Sequence, residues 1–364
     1  MLKHENYTSE HIAALRASTG ADPSILERTV FAFGLLEAIR HVELPFIFKG
    51  GTSLLVLLDN PKRLSTDIDI IVKPGTDVDH FIQQAGTVFP FRSVEENIRK
   101  GHNDIEKRHF RFQFVSPRSS QEINILLDVV FEENPYVNVI GMPIKNDLLS
   151  SEGEDLYVSV PDKNCILGDK LTAFAPHTTG IPFGVNKELE IIKQMYDCWV
   201  LIQEMDNYST VFRVYNEVAR IEAGYRGLTI QPRDSLLDTI ESCICIMGRG
   251  GIRPEEYQCF LTGINAIQGH VFNDRINGEN AGMKACEIMY LAACIMTGQA
   301  AFDRVTSPES YQNEVLSVQG IKRIGYIRKT DPVAYAYLIK ALRLLQQNGL
   351  YTESILTPYT LSND

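Results

Sequence analysis

The sequence predicts an α+β protein in which a mixed sheet with flanking helices is followed by a helical C-terminal domain. Three observations predict it. Apolar residues at helical spacing fill residues 9–41, short apolar or alternating segments run between residues 45 and 131, and from about Asn164 the pattern is helical throughout. A chain of 364 residues exceeds one ordinary core, so we expect a domain over residues 1–160 and a second over residues 161–364.

The elements follow in order. "SEHIAALRAST" opens at Ser9, and "DPSILERTVFAFGLLEAIRHV" has Asp22 as a cap with Pro23 at the first helical position. A short strand "PFIFK" leads through "GGTS" into an apolar helix "SLLVLLD", a turn at "DNPKR" and the strand "DIDIIV", closed by "KPGTD". "DVDHFIQQAGTVF" reads as a helix. In "KRHFRFQFVS", Phe110, Phe112 and Phe114 alternate with His109, Arg111 and Gln113, which marks a half-buried strand. "EINILLDVVFEE" is apolar on both faces and reads as a central strand carrying Asp128. These last two segments are expected to form an antiparallel hairpin beside the strand with the paired aspartates. Helical segments such as "CILGDKLTAFAP", "KELEIIKQMYDCWVLIQEM" and "AGMKACEIMYLAACIMTG" then fill the second half.

Composition excludes several classes. No uninterrupted apolar stretch of about twenty residues is present, so no membrane span is expected, and the N-terminus lacks an apolar core that would mark a secretory signal. A cytoplasmic location is expected. Seven cysteines without a CxxC pair argue against a disulfide framework and a zinc ribbon, and Cys243 and Cys245 read as structural thiols. The net charge of -11 argues against a surface coated for duplex binding but leaves room for a local basic groove. The basic runs at residues 92–112 and in "IKRIGYIRK", with Tyr326, read as solvated faces in preference to RNA contacts. His102, His109 and His177 lack metal-ligand spacing; His177 stands out because its loop follows Lys170.

The chemistry is concentrated between Lys49 and Asp69. In a strand, side chains two residues apart share a face, so Asp67 and Asp69 point the same way while Ile68 and Ile70 enter the core. Two adjacent carboxylates repel unless a proton, a basic group or a divalent ion intervenes. Oxygen donors in that pattern suit Mg²⁺, or Mn²⁺. A lone pair of this kind is most simply a solvated feature of a sheet edge. Here it follows a strand, two glycines and a helix N-terminus, where backbone N–H groups can meet phosphate oxygens, and Asp128 lies in a strand expected to be adjacent. Lys49, Thr52 and Ser53 can add donors. No GK[ST] follows the glycines, so the segment is not a P-loop.

"GGTSL…KRLSTDIDI", with a third aspartate further on, resembles the AbiEii/AbiGii toxin family, which has the nucleotidyltransferase fold. "GDKLTAFAP…KELEIIKQMYDCWVL" is similar to the family's later K-L-x-A-h and K-x-x-x-D units. On this match Lys170 takes the first lysine position, and Lys193 and Asp197 the later pair. "PHTTGIPFGVNKELE" intervenes, without the arginine that often follows the first unit, which leaves the partner of Lys170 open.

The resemblance implies Mg²⁺-dependent transfer of a nucleoside monophosphate from an NTP to an RNA (tRNA among them) or a protein, by a toxin restrained by a separately encoded antitoxin. Asp67, Asp69 and Asp128 would hold metal, with Asp128 alternatively deprotonating the acceptor. Gly50, Gly51, Thr52 and Ser53 would line the phosphates with Lys49. Lys170 would neutralise developing charge, and Asp197 and Lys193 would accompany it from the helical domain. Arg63 is expected to touch a phosphate or brace its turn, and Ser65 to orient Asp67. Without the resemblance, Asp197 reads as a surface acid paired with Lys193 one turn away. Two other functions stay open: a non-catalytic nucleotide-binding or interaction module of the same fold, and a phosphate-ester hydrolase.

Overall fold

A computed structural model of the chain describes residues 1–98, 106–272, 274–314 and 321–350. Residues 99–105 of the first basic run, with His102, lie outside the described residues. The chain divides into two compact units, one formed by Met1–Ile166 with Gly269–Arg275, the other by the described residues of Leu167–Gln268 and from Ile276 onward.

The first unit begins with α1 (Ser9–Thr19) and α2 (Pro23–His41). Asp22 caps α2 by accepting from the Ser24 and Ile25 N–H groups. Then come β1 (Ile47–Lys49), α3 (Gly50–Leu57), β2 (Ile68–Val72), α4 (Asp79–Ala85), β3 (Ser93–Glu96), β4 (Lys107–Val115), β5 (Glu122–Phe131), β6 (Val139–Pro143) and β7 (Tyr157–Pro161). Among the described residues these strands form one mixed sheet in the order β3-β4-β5-β2-β1-β7-β6. β2 runs antiparallel to β1 and parallel to β5, and β4 and β5 are the expected antiparallel pair. β5 lies inside the sheet between β4 and β2, as its long apolar run predicts, with one face buried and the other half-buried.

One sheet face is a dry core. Phe48, Ile68, Ile70, Phe110, Phe112, Phe114, Ile125, Leu127 and Val129 are all buried there, and α2 packs against β2 and β5. The rings of Phe31 on α2 and Phe114 on β4 stack with centroids 3.7 Å apart. α2 is apolar on nearly every side, as a helix enclosed by other elements must be. β3 and β6 carry no apolar alternation strong enough to be read from sequence: β3 is "SVEE", and "VIGMP" in β6 contains glycine and proline. β7, "YVSVP", alternates with Val158 and Val160 buried, over a run of only five residues.

The helical region comprises α5 (Lys163–Ala173), α6 (Glu188–Glu204), α7 (Tyr208–Tyr225), α8 (Pro232–Gly248), α9 (Pro254–Ala266), α10 (Asn280–Met296), α11 (Ile327–Thr330) and α12 (Pro332–Gln347). No described helix is long and apolar enough to cross a membrane. The turn at "GRGG" lies between α8 and α9, where Arg249 and Gly250 both have positive φ. All seven cysteines are free, and Cys243 and Cys245 are buried. Tyr326 is a packing element rather than an open stacking surface: its hydroxyl donates to the Glu279 carbonyl at 3.0 Å and Arg249 lies over its ring.

The sequence left the partner of Lys170 open; it is Asp197. Lys170 Nζ lies 2.8 Å from Asp197 Oδ2 and donates to Gln194 Oε1 at 3.1 Å, while Lys193 Nζ turns to Glu190 at 3.0 Å. Lys170 and Asp197 are both buried, so α5 and α6 are joined by an ion pair removed from water. The loop between these helices is folded onto α8 and α9. His177 Nδ1 and Nε2 meet Asp238 at 2.8 Å and Glu256 at 3.3 Å, Thr178 donates to Asp238, and Phe183 packs edge-on against Phe260. The hydrogen bonds to Asp238 and then to Glu256 raise the His177 pKa to about 10.

Two outcomes are expected. Asp197→Ala leaves the Lys170 ammonium buried without its counter-charge and lowers stability by about 3–5 kcal/mol. The loss is read in urea titrations from Trp199, the chain's single tryptophan, two residues from Asp197; Lys170→Met with Asp197→Leu in one chain costs less than either change alone. For His177, the folded state holds its proton more tightly than the unfolded chain does. The stabilisation is therefore complete below the ordinary imidazole value of 6.5 and disappears as pH rises through about 10. The gap in melting temperature between wild type and His177→Gln should narrow accordingly between pH 6 and pH 10.

Candidate functional site

The second face of the first unit's sheet is polar at its centre. Strand pairing sets Lys49 of β1 opposite Asp69 of β2, Asp69 beside Asp128 of β5, and Asp128 opposite His109 of β4. Paired residues in register project on the same side, and neighbouring strands lie about 4.8 Å apart. Lys49, Asp69, Asp128 and His109 thus form a transverse row. Asp69 and Asp128 are half-buried, while Ile68 and Ile70 are fully buried on the opposite face, the division expected from alternation. His109 is the member that sequence reading missed as a participant. Its Nδ1 lies 2.6 Å from Asp128 Oδ1. Lys49 Nζ also approaches Glu132 Oε1, at 3.8 Å.

α3 begins at the glycines themselves, earlier than the apolar run suggested. Gly50 has φ of +81°, and a Cβ on it would come within 2.0 Å of Asp69 Oδ2. The Asp69 carboxylate therefore rests directly on the first residue of the helix, a contact that only glycine permits. A Cβ on Gly51 would meet Arg63 Nη2 at 2.7 Å and Ser65 Oγ at 2.8 Å. Arg63 is buried and its Nη1 donates to the Leu64 carbonyl, so it braces the loop before β2. The same loop is clipped by a distant segment: Leu64 N–H donates to the His270 carbonyl, Phe272 N–H to the Lys62 carbonyl, and Arg63 bridges Val271. Thr29 Oγ1 holds the Ser65 carbonyl at 2.9 Å.

Thr52 and Ser53 are fully buried. The Thr52 hydroxyl donates to the Asp67 carbonyl at 2.5 Å, and the Ser53 hydroxyl to the Gly50 carbonyl at 2.8 Å. Lys49 provides no side-chain cap for α3. A ligand at this helix end would accordingly meet backbone N–H groups of the first turn, which the helix itself cannot satisfy.

The donor set suits a hard divalent cation. Mg²⁺ characteristically takes one or two protein carboxylates and completes its shell with water and substrate phosphates, and Asp69 and Asp128 supply two carboxylates in register. Among the described residues no group of three or more His, Cys, Asp or Glu side chains is close enough to cage an ion by itself. Asp67 lies just before β2, held through its carbonyl. Lys170, Lys193 and Asp197 belong to the second unit and are placed by the contacts given above.

A strand, a glycine-led helix and an acidic pair in register on one sheet face define a nucleotidyltransferase-like fold. The family model described as nucleotidyl transferase AbiEii toxin, type IV toxin–antitoxin system, matches residues 35–242, and the chain belongs to that family. Among solved structures, JHP933 from Helicobacter pylori is 12% identical with a TM-score of 0.42, the match covering 75% of this chain and 93% of that one. A second Helicobacter pylori structure, described provisionally as a nucleotidyltransferase, is 12% identical with a TM-score of 0.43, covering 75% and 96%. No curated protein matches the chain.

Gly50 can be tested against Gly75, which has φ of +80° with nothing near a added Cβ. Gly75→Ala carries backbone strain alone, about 1–3 kcal/mol. Gly50→Ala carries that strain plus the clash with Asp69, so it should lower the melting temperature and the urea midpoint more than Gly75→Ala does.

Proposed function

We propose that the chain transfers a nucleoside monophosphate from an NTP to an RNA, tRNA included, or to a protein, in a reaction that depends on Mg²⁺ or Mn²⁺. In the cell it would act in the cytoplasm as the toxin of a pair with a separately encoded antitoxin. One observation carries the reading: Asp69 and Asp128 stand in register beside the Gly50 contact, so oxygen donors and a helix N-terminus converge where a triphosphate can lie.

Asp69 and Asp128, with Asp67, would hold the divalent ion, which when bound supplies neutralisation of phosphate charge. The first-turn N–H groups of α3, at Gly50 and Gly51, receive phosphate oxygens, and Lys49 adds positive charge at the end of the row. Thr52 and Ser53 act through the backbone they fix, and Arg63 and Ser65 through the packing they give Gly51. The acceptor hydroxyl attacks the α-phosphorus, a new P–O bond forms, and the bond to pyrophosphate breaks as pyrophosphate departs. The hydroxyl proton passes to solvent. Lys170 and Asp197 enter as a pair, because removal of either strands the other charge; Lys193 contributes charge beside them. Positioning and charge neutralisation supply most of the rate in such phosphoryl chemistry.

The test is incubation with each of four α-labelled NTPs, Mg²⁺ and whole-cell extract. Label should enter one class of macromolecule with release of pyrophosphate, and Asp69→Asn should reduce transfer by at least about 10²-fold, on the scale of losing an electrostatic transition-state contact. No transfer by wild type, together with unchanged nucleotide binding in Asp67→Ala, would overturn the reading. Saturable binding without pyrophosphate would leave a non-catalytic module, and free monophosphate a hydrolase.

A further inference from the structure

The His109–Asp128 contact goes beyond what the motifs assign. β4 and β5 place the two residues directly opposite each other, at the end of the Lys49–Asp69–Asp128–His109 row. Phe110 and its neighbours Phe112 and Phe114 are buried on the other face, which pins β4 in register and with it the His109 backbone. The imidazole and carboxylate side chains are about one-sixth and one-third exposed, 17% and 30%, so the bond is partly sheltered from water. An ionised carboxylate only accepts hydrogen bonds, so the proton between Nδ1 and Oδ1 is carried by the imidazole. At 2.6 Å the bond is short, and it occupies one of the two oxygens of Asp128.

We infer that His109 is a positioning residue for Asp128: its Nδ1–H ties down Oδ1, so that Asp128 offers Oδ2 alone to a divalent cation shared with Asp69. This rests on the metal-dependent reading proposed above. The rationale is the one that governs outer-shell partners generally: a ligand carboxylate free to rotate pays orientational entropy on binding, and fixing it by a hydrogen bond to the non-ligating atom raises affinity, with loss of such partners costing about 10–100-fold. Asp69 is fixed differently, by contact with Gly50. Among the described residues no added glycine Cβ has Asp128 among its nearest atoms, and the His109 imidazole is the group that meets its carboxylate.

The experiment measures binding of Mn²⁺ alone to the full chain by electron paramagnetic resonance, without NTP or acceptor. Three changes at position 109 separate the donor from the packing. His109→Leu keeps side-chain bulk at Cγ and Cδ without a donor; His109→Asn places an amide N–H where Nδ1 stands; His109→Gln places it one bond further out. Asp69→Asn tests the site itself, and melting temperature reports folding. The expected result is Mn²⁺ affinity about 10–100-fold weaker in His109→Leu and His109→Gln and within about threefold of wild type in His109→Asn. If Asp69→Asn weakens binding while His109→Leu matches wild type, the inference about His109 falls and the metal-dependent reading stands. If His109→Asn is as weak as His109→Leu, the effect is packing and the inference is again overturned. If wild type shows no saturable Mn²⁺ binding, or Asp69→Asn leaves it unchanged, the reading and the inference fall together. Should His109→Leu fail to fold, His109→Asn against His109→Gln decides the question by the same criterion.

Discussion

The register of β2 between β1 and β5 is the constraint on which the site depends. A strand has a side-chain period of two, so a one-residue slip would turn Asp69 into the apolar core and bring Ile68 or Ile70 to the polar face. Each buried aliphatic side chain is worth about 1.5–3 kcal/mol, and Ile68, Ile70, Leu127 and Val129 are all at most 1% exposed. The summed penalty for slippage therefore exceeds any relief of repulsion between the two half-buried carboxylates, which is about 4 kcal/mol at 4 Å near a protein surface. The dry face under α2 fixes the register, and the register delivers the acidic pair.

The second constraint is the closeness of α3 to β2. Gly50 carries the Asp69 carboxylate against its backbone, and Gly51 receives Arg63 and Ser65 in the same way. The loop holding Arg63 and Ser65 is itself pinned by Thr29 on α2 and by the segment around His270. A residue stretch two hundred positions downstream thus stabilises the approach to β2. This explains why Gly269–Arg275 belongs to the first compact unit although the chain on both sides of it does not.

Legibility in the sequence tracks how much of an element's environment is encoded by its own side chains. β5 could be read because of its long apolar run, and β4 because Phe110, Phe112 and Phe114 alternate cleanly; their pairing beside β2 follows. β3 and β6 draw their pairing from neighbours and carry weak patterns of their own, while β7 alternates over a run too short to stand out from the loops around it. The clip at residues 269–275 works through backbone hydrogen bonds, which leave no side-chain signature. His109 was visible as an outward residue of β4, but its significance lies in cross-strand register with Asp128, a relation that needs the pairing to be known to the residue. Asp197 was tied to Lys193 by helical spacing, whereas tertiary contact matched it to Lys170 across two helices and the loop of residues 174–187; a buried cation finds the acid that shares its burial, and sequence distance does not enter.

The three acidic residues are held by three different means. Asp67 is anchored through its main chain, by the hydroxyl of Thr52; Asp69 by steric contact with a glycine; Asp128 by a hydrogen bond from an imidazole. These are unequal in stiffness. A backbone anchor fixes where Cα sits but leaves the side-chain torsions to be set by other contacts. Contact with a glycine blocks one direction of swing, and a short hydrogen bond fixes the carboxylate plane itself. Asp69 and Asp128 are the two in strand register, and each carboxylate is met at close range, one by the backbone of a glycine and the other by an imidazole. A pair of carboxylates already held in register keeps its geometry when a charge arrives beside it, so little reorganisation is left for that moment.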